Sequence, residues 1–575
     1  MKKVVISILT VLATAFCCIA CDKSKDSSDG YESASQTVSE SVSYEETSSP
    51  ESESPSDVSS DSEETSEDSQ SSSDTTSETT SESTSESSDS TPDESDESDE
   101  SDSEGDTSSD EDSTTPGGGT QVPGDDVTDI PEDSTEDEEY EPIVDDGTGV
   151  YTVDMTKATK VKNVTDHGYY VDGCPTTGTV KVLVIPVEFS DVTAESKGYT
   201  IDKLKAVFNG GDGIAYSSVA DYYNISSNGQ LNLEFVVLDY WFQPKRDSDY
   251  YKKATMNYYG DLMAIGDQRV MNEVLNELED TMDLTEFDSD NNGVIDAVVM
   301  INTLEIDSSN EFNWAYRYWN YYTDKSGNFY EYDGVVANDY IWASYQFIFR
   351  VCNKKGYFSY DYNTINSHTY IHEFAHVLGS EDYYDTAYVD KPLAGYDVMD
   401  SRLGDHNPFT KFNYGWLTTA RLITAEESVT LTLESFTETG DAVIIANNWN
   451  EKLGAYQEYY IVVYYTNTGL NSGIGGYFAD EGIVVYHINA ELTSEEFEGE
   501  ITYNLKYNNT DASDMYGSEY NLIELVKSEG RNYVYEAGDS VPATEKTDDG
   551  QKIAYVFTVD SITEEGAVVT FRKNN

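Results

Sequence analysis

His372, Glu373 and His376 stand in the run Ile371-His372-Glu373-Phe374-Ala375-His376-Val377-Leu378-Gly379. Two histidines four apart on a helix direct their imidazoles from one face. Such a pair can hold a zinc ion through two nitrogens, and Glu373, one step on, reaches the side where a water would bind. A glutamate placed there can take that water's proton and later pass it to a leaving amine. A bound metal lowers the water's pKa toward ~7, so the chemistry in view is hydrolysis at neutral pH. The chain holds only 6 His. Phe374, Ala375, Val377 and Leu378 crowd the remaining helix faces, which predicts a mostly buried helix. Two histidines buried together without a metal would be costly.

Zinc needs a third protein ligand and an open position. Gly379 can take a positive φ and turn the chain back, which would bring Asp382 to the metal. Glu381 and Asp385 are local alternatives, and His406 and Asp397 remote ones. Downstream, Gly395-Tyr396-Asp397-Val398-Met399-Asp400 offers a methionine in a tight turn, able to form a hydrophobic floor under such a site, although a core methionine would read the same way. Tyr396 is the candidate to stabilise an oxyanion, with Tyr383, Tyr384 and Tyr414 nearby in sequence.

A second ion site is suggested by Asp288-Ser289-Asp290-Asn291-Asn292-Gly293-Val294-Ile295-Asp296. Oxygen ligands alternate at Asp288, Asp290 and Asn292, Gly293 makes the sharp turn, and the Val294 carbonyl and Asp296 could complete a calcium loop. Val299 stands where an EF-hand has Glu, and a strand-like run follows where an EF-hand has a helix. The competing reading is an Asx-rich turn that stabilises itself.

The elements that must position these groups alternate at first. Val180–Phe189 reads as a buried strand, Ser217–Tyr223 as a helix, Leu231–Leu238 as a strand, Gln268–Glu279 as an amphipathic helix and Val294–Ile301 as a strand. Tyr370–Gly379 is helical, and Phe409–Trp416 is a short helix. Residues 303–365 are rich in Tyr and Asn without a clean period, which predicts long irregular segments. Beyond Leu422 the pattern is short strands separated by turn residues, at Val429–Leu433, Ala442–Ala446, Tyr459–Tyr465, Gly482–Ile488, Tyr533–Tyr535, Ile553–Val559 and Ala567–Phe571, which suggests a β-sandwich.

The chain has 575 residues and a net charge of −78. Residues 22–150 carry −42 of it, with 44 acids and only Lys23 and Lys25. That Ser/Thr/Asp/Glu segment cannot bury enough apolar surface to fold, and charge repulsion extends it into a tether. Residues 151–575 carry −38, and the sign argues against a nucleic-acid partner. Lys2-Lys3 followed by the apolar run Val4–Ala20 is a signal peptide. Cys18-Ile19-Ala20-Cys21 resembles a bacterial lipobox, with Cys18 where Leu is usual, and makes Cys21 the expected site of lipidation and membrane anchoring. Of the cysteines left after processing, Cys174 and Cys352 could pair outside the cell. Cys174 could instead cap a zinc site or stay an inert thiol.

Taken together, the ordered motifs resemble the immune inhibitor A family of bacterial secreted zinc metallopeptidases. The likeness rests on Lys181-Val182-Leu183-Val184-Ile185-Pro186-Val187-Glu188-Phe189-Ser190-Asp191, Ser217–Tyr223 with Asn228-Gly229-Gln230-Leu231, and Asp288–Asp296. It continues through His372–Gly379, Asp397-Val398-Met399-Asp400, Lys411 to Gly415-Trp416-Leu417, Glu458-Tyr459-Tyr460 and Gly482–Ile488, so it covers residues 178 to 490. It implies an α+β, zincin-like domain, a mixed sheet with the His372–Gly379 helix, followed by an all-β sandwich-like domain. It implies an endopeptidase with one catalytic zinc on His372, His376 and Asp382, Glu373 as base, and structural calcium. Ser380-Glu381 replace a more apolar pair, residues 303–365 form an unusual insertion, and no folded prodomain is evident. The expected organisation is a signal peptide over 1–20, a stalk over 21–148, a catalytic domain over 149–422 and a β-sandwich over 423–575. The expected setting is the extracellular face of a bacterial membrane, lipid-anchored or released, with extracellular proteins or peptides as substrates and the chain a monomer. The reading in competition is a non-enzymatic adhesin or carbohydrate-binding protein on the same scaffold. The intact His372, Glu373 and His376 favour the enzyme.

Overall fold

The computed structural model describes residues 147–156, 173–256, 265–307, 310–352, 358–384, 392–394, 396–400, 402–473, 480–497, 500–510 and 520–575. The expected signal peptide, Cys21 and the stalk up to residue 146 lie outside them.

The run Gly178–Val187 is nearly all β-branched or aliphatic and is buried on both faces, as a central strand of a covered sheet must be. It pairs in parallel with Leu231–Val237 on one side and Val298–Asn302 on the other. Asp339–Ser344 adds a fourth parallel strand, and Tyr316–Trp319 closes the edge antiparallel. The strand period of two then sorts the side chains. Val180, Val182, Val184, Val299, Ile301, Ile341 and Ala343 face one apolar cluster. Leu183, Ile185, Val187, Val298, Met300, Tyr340 and Trp342 face another. Helix Ile265–Leu278 covers the second face with Val270, Met271, Val274, Leu275 and Leu278. Helices Ile201–Asn209, Val219–Ser226 and His368–Val377 cover the first.

Residues 303–365 are irregular only in part, as over 303–307 and 320–330. They contribute Tyr316–Trp319 and Asp339–Ser344 to the central sheet and Glu331–Tyr332 and Val335–Ala337 to a small one. All six residues of Asp339–Ser344 are buried, so no alternation marks the strand. Its apolar surface comes from Tyr340 and Trp342 more than from β-branched residues. Of the tyrosines in this stretch, Tyr316, Tyr318, Tyr332, Tyr340 and Tyr345 are buried core, while Tyr360 and Tyr362 are exposed.

The strand-rich C-terminal part contains a six-stranded sheet in the order Val150–Asp154, Thr419–Ile423, Ala442–Ile445, Glu458–Tyr465, Gly482–Asn489, Ile523–Leu525. Along Glu458–Tyr465, Tyr459, Ile461, Val463 and Tyr465 pack into the same cluster as the helix of the two histidines, while Tyr460, Val462 and Tyr464 face the opposite way. There they meet the three-stranded sheet of Ser428–Leu433, Tyr555–Thr563 and Gly566–Lys573, so this part is two facing sheets. Leu422 lies inside the strand Thr419–Ile423, which pairs with Val150–Asp154 from the start of the described chain. The apolar cluster around the histidine helix thus runs without a break into the six-stranded sheet. Tyr533–Tyr535 forms no strand, only an isolated bridge from Tyr535 to Ile483. No helix among the described residues is long and apolar enough to cross a membrane.

Candidate metal centre

The helix His368–Val377 is anchored before it presents any chemistry. The Asn366 amide oxygen accepts the His368 N–H at 3.0 Å, the Tyr370 hydroxyl donates to the Ser344 carbonyl at 3.0 Å and the Tyr223 hydroxyl to the Ile371 carbonyl at 2.6 Å. At its end Gly379 has φ +99°. Its N–H bonds the His376 carbonyl, and the Ser380 N–H bonds the Ala375 carbonyl. These are the two bonds of a Schellman stop, which wants glycine at that position. The chain reverses, and the Tyr383 N–H is caught by the Met399 carbonyl at 2.8 Å.

This reversal places Asp382 Oδ1 3.1 Å from His372 Nε2 and 3.4 Å from His376 Nε2. Donors on a tetrahedron about 2.0 Å from a zinc ion lie about 3.3 Å apart, so the spacing fits a shared ion. The orphaned atoms fit as well. Both Asp382 oxygens and His376 Nε2 are buried with no hydrogen-bond partner, a costly arrangement for side chains of this polarity unless something binds them. The other ring nitrogens are committed: His372 Nδ1 donates to the Val398 carbonyl at 2.8 Å and His376 Nδ1 to the Ser380 carbonyl at 2.7 Å. That leaves the Nε2 lone pairs free for a metal and fixes both rings. Asp382 is fully buried at its side chain, while His372 and His376 keep 12% and 14% exposed, so the imidazole side is the one that opens to solvent.

The electrostatics follow from this packing. Burial disfavours a charged His372, but the Asp382 carboxylate, helped by Glu373, brings its pKa up to about 9. Burial also opposes the Asp382 anion, yet the two histidines hold its carboxyl well below the usual range. Glu373 is 3% exposed. Burial pushes its carboxyl up, partly countered by the two histidines and by the Arg317 backbone N–H, and its Oε2 has no partner. A glutamate poised upward in this way suits a proton carrier.

Of the alternatives for the third ligand, Asp397 is used elsewhere. Its oxygens accept the Met399 N–H at 2.9 Å and the Asn407 side-chain amide at 2.9 Å, which shapes the turn holding Met399, itself fully buried. His406 is enclosed by the rings of Tyr222, Tyr223, Tyr414 and Trp416, and burial pushes it down to about 3. Asp385 lies outside the described residues. Tyr414 and Tyr383 hydroxyls are bound to Ser380 and the Ala375 carbonyl and to Thr410 respectively. The Tyr396 ring packs against Tyr533 and beneath the Arg402 guanidinium, 4.6 Å away.

In the loop Asp288–Asp296 most of the side-chain oxygens accept from the loop itself, while Asp296 Oδ1 is buried with no partner. Asp288 accepts the Asn292 and Gly293 N–H groups at 3.0 and 2.9 Å, Asp290 the Asn292 N–H at 3.1 Å, the Asn292 side chain the Val294 N–H at 2.8 Å, and Asp296 the Ser289 N–H at 2.9 Å. Asn291 and Gly293 take positive φ. These bonds form an Asx-type turn. Among the described residues two groups of His or carboxylate donors converge closely enough for a metal, His372/His376/Asp382 and Glu458/His487/Asp548, and the loop is not one of them. Cys174 is a free buried thiol, and burial raises its pKa well above the ordinary value. Of the alternatives for Cys174, the pairing with Cys352 is not formed, and a buried neutral thiol behaves as the inert one. The Cys352 side chain lies outside the described residues.

Sequence reasoning reached His372, His376 and Asp382, which converge here, and Glu373 buried beside them, and missed what orients them. The Val398 and Ser380 carbonyls and the Arg317 N–H are backbone groups, which leave no mark in residue type. No protein-family model matches the chain, and no curated protein matches it.

Proposed function

We propose that the protein is a zinc-dependent endopeptidase of the immune inhibitor A type, acting on extracellular proteins at the surface of the cell to which Cys21 tethers it. The observation that carries this reading is the meeting of two imidazole nitrogens and one carboxylate oxygen at 3.1 and 3.4 Å, with a buried glutamate beside them. His372, His376 and Asp382 would hold the ion, whose part when bound is to act as a Lewis acid and lower the pKa of water. Glu373 takes the proton of the attacking water and delivers it to the leaving amine. The Val398 and Ser380 carbonyls keep both histidines in one tautomer, and the Met399 turn keeps His372 in place. Tyr396, beside Arg402, is the proposed partner for the developing oxyanion. Calcium at Asp288–Asp296 belongs to the same reading, and binding it would require Asp288 and Asp290 to exchange their backbone donors for the ion.

The deciding experiment is casein hydrolysis by the full chain, with and without chelator, against Glu373→Gln. Removal of a general base lowers turnover about 10²–10⁴-fold, while bound zinc should stay unchanged. Equal turnover in Glu373→Gln and wild type would refute the mechanism, and a chain with no zinc at all would refute the site.

A further inference from the structure

Glu458, His487 and Asp548 lie far along the chain from the histidine helix, on the face of the six-stranded sheet that looks toward the three-stranded one. The register explains why they meet. Tyr460 pairs with His487 and Glu458 with Asn489, and on the other side His487 pairs with Glu524. With a period of two, Glu458, His487, Asn489 and Glu524 all emerge on the same face at the same end of the sheet. Asp548 comes down on them from the turn after Val541, where its own N–H donates to Glu458 Oε1 at 2.7 Å.

We propose that Glu458, His487 and Asp548 form a second divalent-cation site, of zinc type, that is structural and pins the 546–552 turn to the sheet. One donor atom from each of the three lies within 4.8 Å of the others, and His487 Nε2 is 2.9 Å from Glu458 Oε1. The His487 ring is held in place by stacking on Tyr460, with centroids 4.4 Å apart and planes at 7°. Its Nδ1 faces Glu524 Oε1 at 3.5 Å, the arrangement in which a carboxylate orients a ligating imidazole. Among the described residues no Lys or Arg pairs with Glu458, Glu524 or Asp548, so three carboxylates face a single imidazole.

Asn489 can supply a fourth donor. It is 2% exposed, its amide contacts Asp548 Oδ2 through Nδ2, and its Oδ1 is buried with no partner. A half-turn of that amide, which interchanges nitrogen and oxygen, would point Oδ1 at an ion beside Asp548. Two carboxylates, an imidazole and an amide oxygen complete four-coordination. The imidazole selects a borderline metal such as zinc over calcium, which takes six to eight oxygens. With four protein donors no position is left for a substrate, as in structural zinc sites.

The site is tested by counting zinc on the full chain after saturation with zinc sulfate and gel filtration, with affinity from a competing dye. Wild type should retain two zinc ions per chain. His487→Gln and Asp548→Asn, which keep side-chain size, should each retain one, and so should His372→Ala; the double variant His372→Ala/His487→Gln should retain none. In the His372→Ala background, zinc should raise the unfolding temperature, and Asp548→Asn should abolish that rise. A zinc count untouched by both His487→Gln and Asp548→Asn overturns this site while leaving the one at His372 standing. A count untouched by His372→Ala but lowered by His487→Gln supports this site and overturns the other.

Discussion

His372 Nδ1 and the Val398 carbonyl lie 2.8 Å apart. The Asp397–Asp400 turn is thereby tied to the candidate metal centre, although none of its side chains is among the converging donors. Asp397 holds the turn by accepting the Met399 N–H and the Asn407 amide. Asp397→Ala should leave the three metal donors in place and loosen the His372 ring. Zinc affinity should fall about 10–100-fold, read by dye competition. An unchanged affinity would separate the turn from the centre.

Gly379 should resist substitution. At φ +99° any other side chain is strained, by about 1 kcal/mol or more. The strain acts on the reversal that delivers Asp382, so Gly379→Ala should weaken zinc binding as well as stability. Denaturant unfolding together with zinc titration checks both. A change of stability alone would show that Asp382 reaches the metal independently of this turn.

Lys411 and Asp405 form a buried ion pair at 2.6 Å, with 1% and 3% of their side chains exposed. Asp405 also accepts the Ser226 hydroxyl at 2.6 Å, so the pair ties helix Pro408–Asn413 to helix Val219–Ser226. Lys411→Met leaves an uncompensated buried carboxylate and should cost about 3–5 kcal/mol. Adding Asp405→Asn should recover part of that loss, since it removes the stranded charge. Both are read by urea denaturation.

Asp267 predicts a pH dependence unrelated to the metal. Burial pushes its carboxyl up to about 7, against the hydroxyl donors Tyr340 and Tyr316 at 2.7 and 2.9 Å. The folded state then binds a proton more tightly than the unfolded chain, whose aspartate titrates near 3.9. This group therefore favours folding most at low pH, and its contribution declines as pH rises from about 4 through 7. Asp267→Asn removes the proton linkage. The stability of the variant relative to wild type should rise by a few kcal/mol across that interval, measured by denaturation at each pH. A constant difference would mean that Asp267 titrates normally.

What the sequence determined by itself was the local chemistry. His372, Glu373 and His376 are four residues of helix apart at most, so a helical period alone aligns them. Gly379 announces its turn because only glycine is comfortable there, and Asp382 follows within reach of it. Strands such as Gly178–Val187 showed themselves because β-branched runs have few other uses. Only the tertiary structure decided the rest. The strand Asp339–Ser344 is buried on both faces and carries no alternation to read. The edge strand Tyr316–Trp319 brings the Arg317 N–H to Glu373 through a pairing that depends on its neighbour. The Val398 and Ser380 carbonyls that set the two histidine tautomers are common to every residue type. Glu458, His487 and Asp548 span 90 positions of sequence and meet through strand register and one returning turn. Spacing along the chain reports contacts within one helix or turn, whereas contacts between distant segments are set by which surfaces pack together, and that is a property of the whole fold.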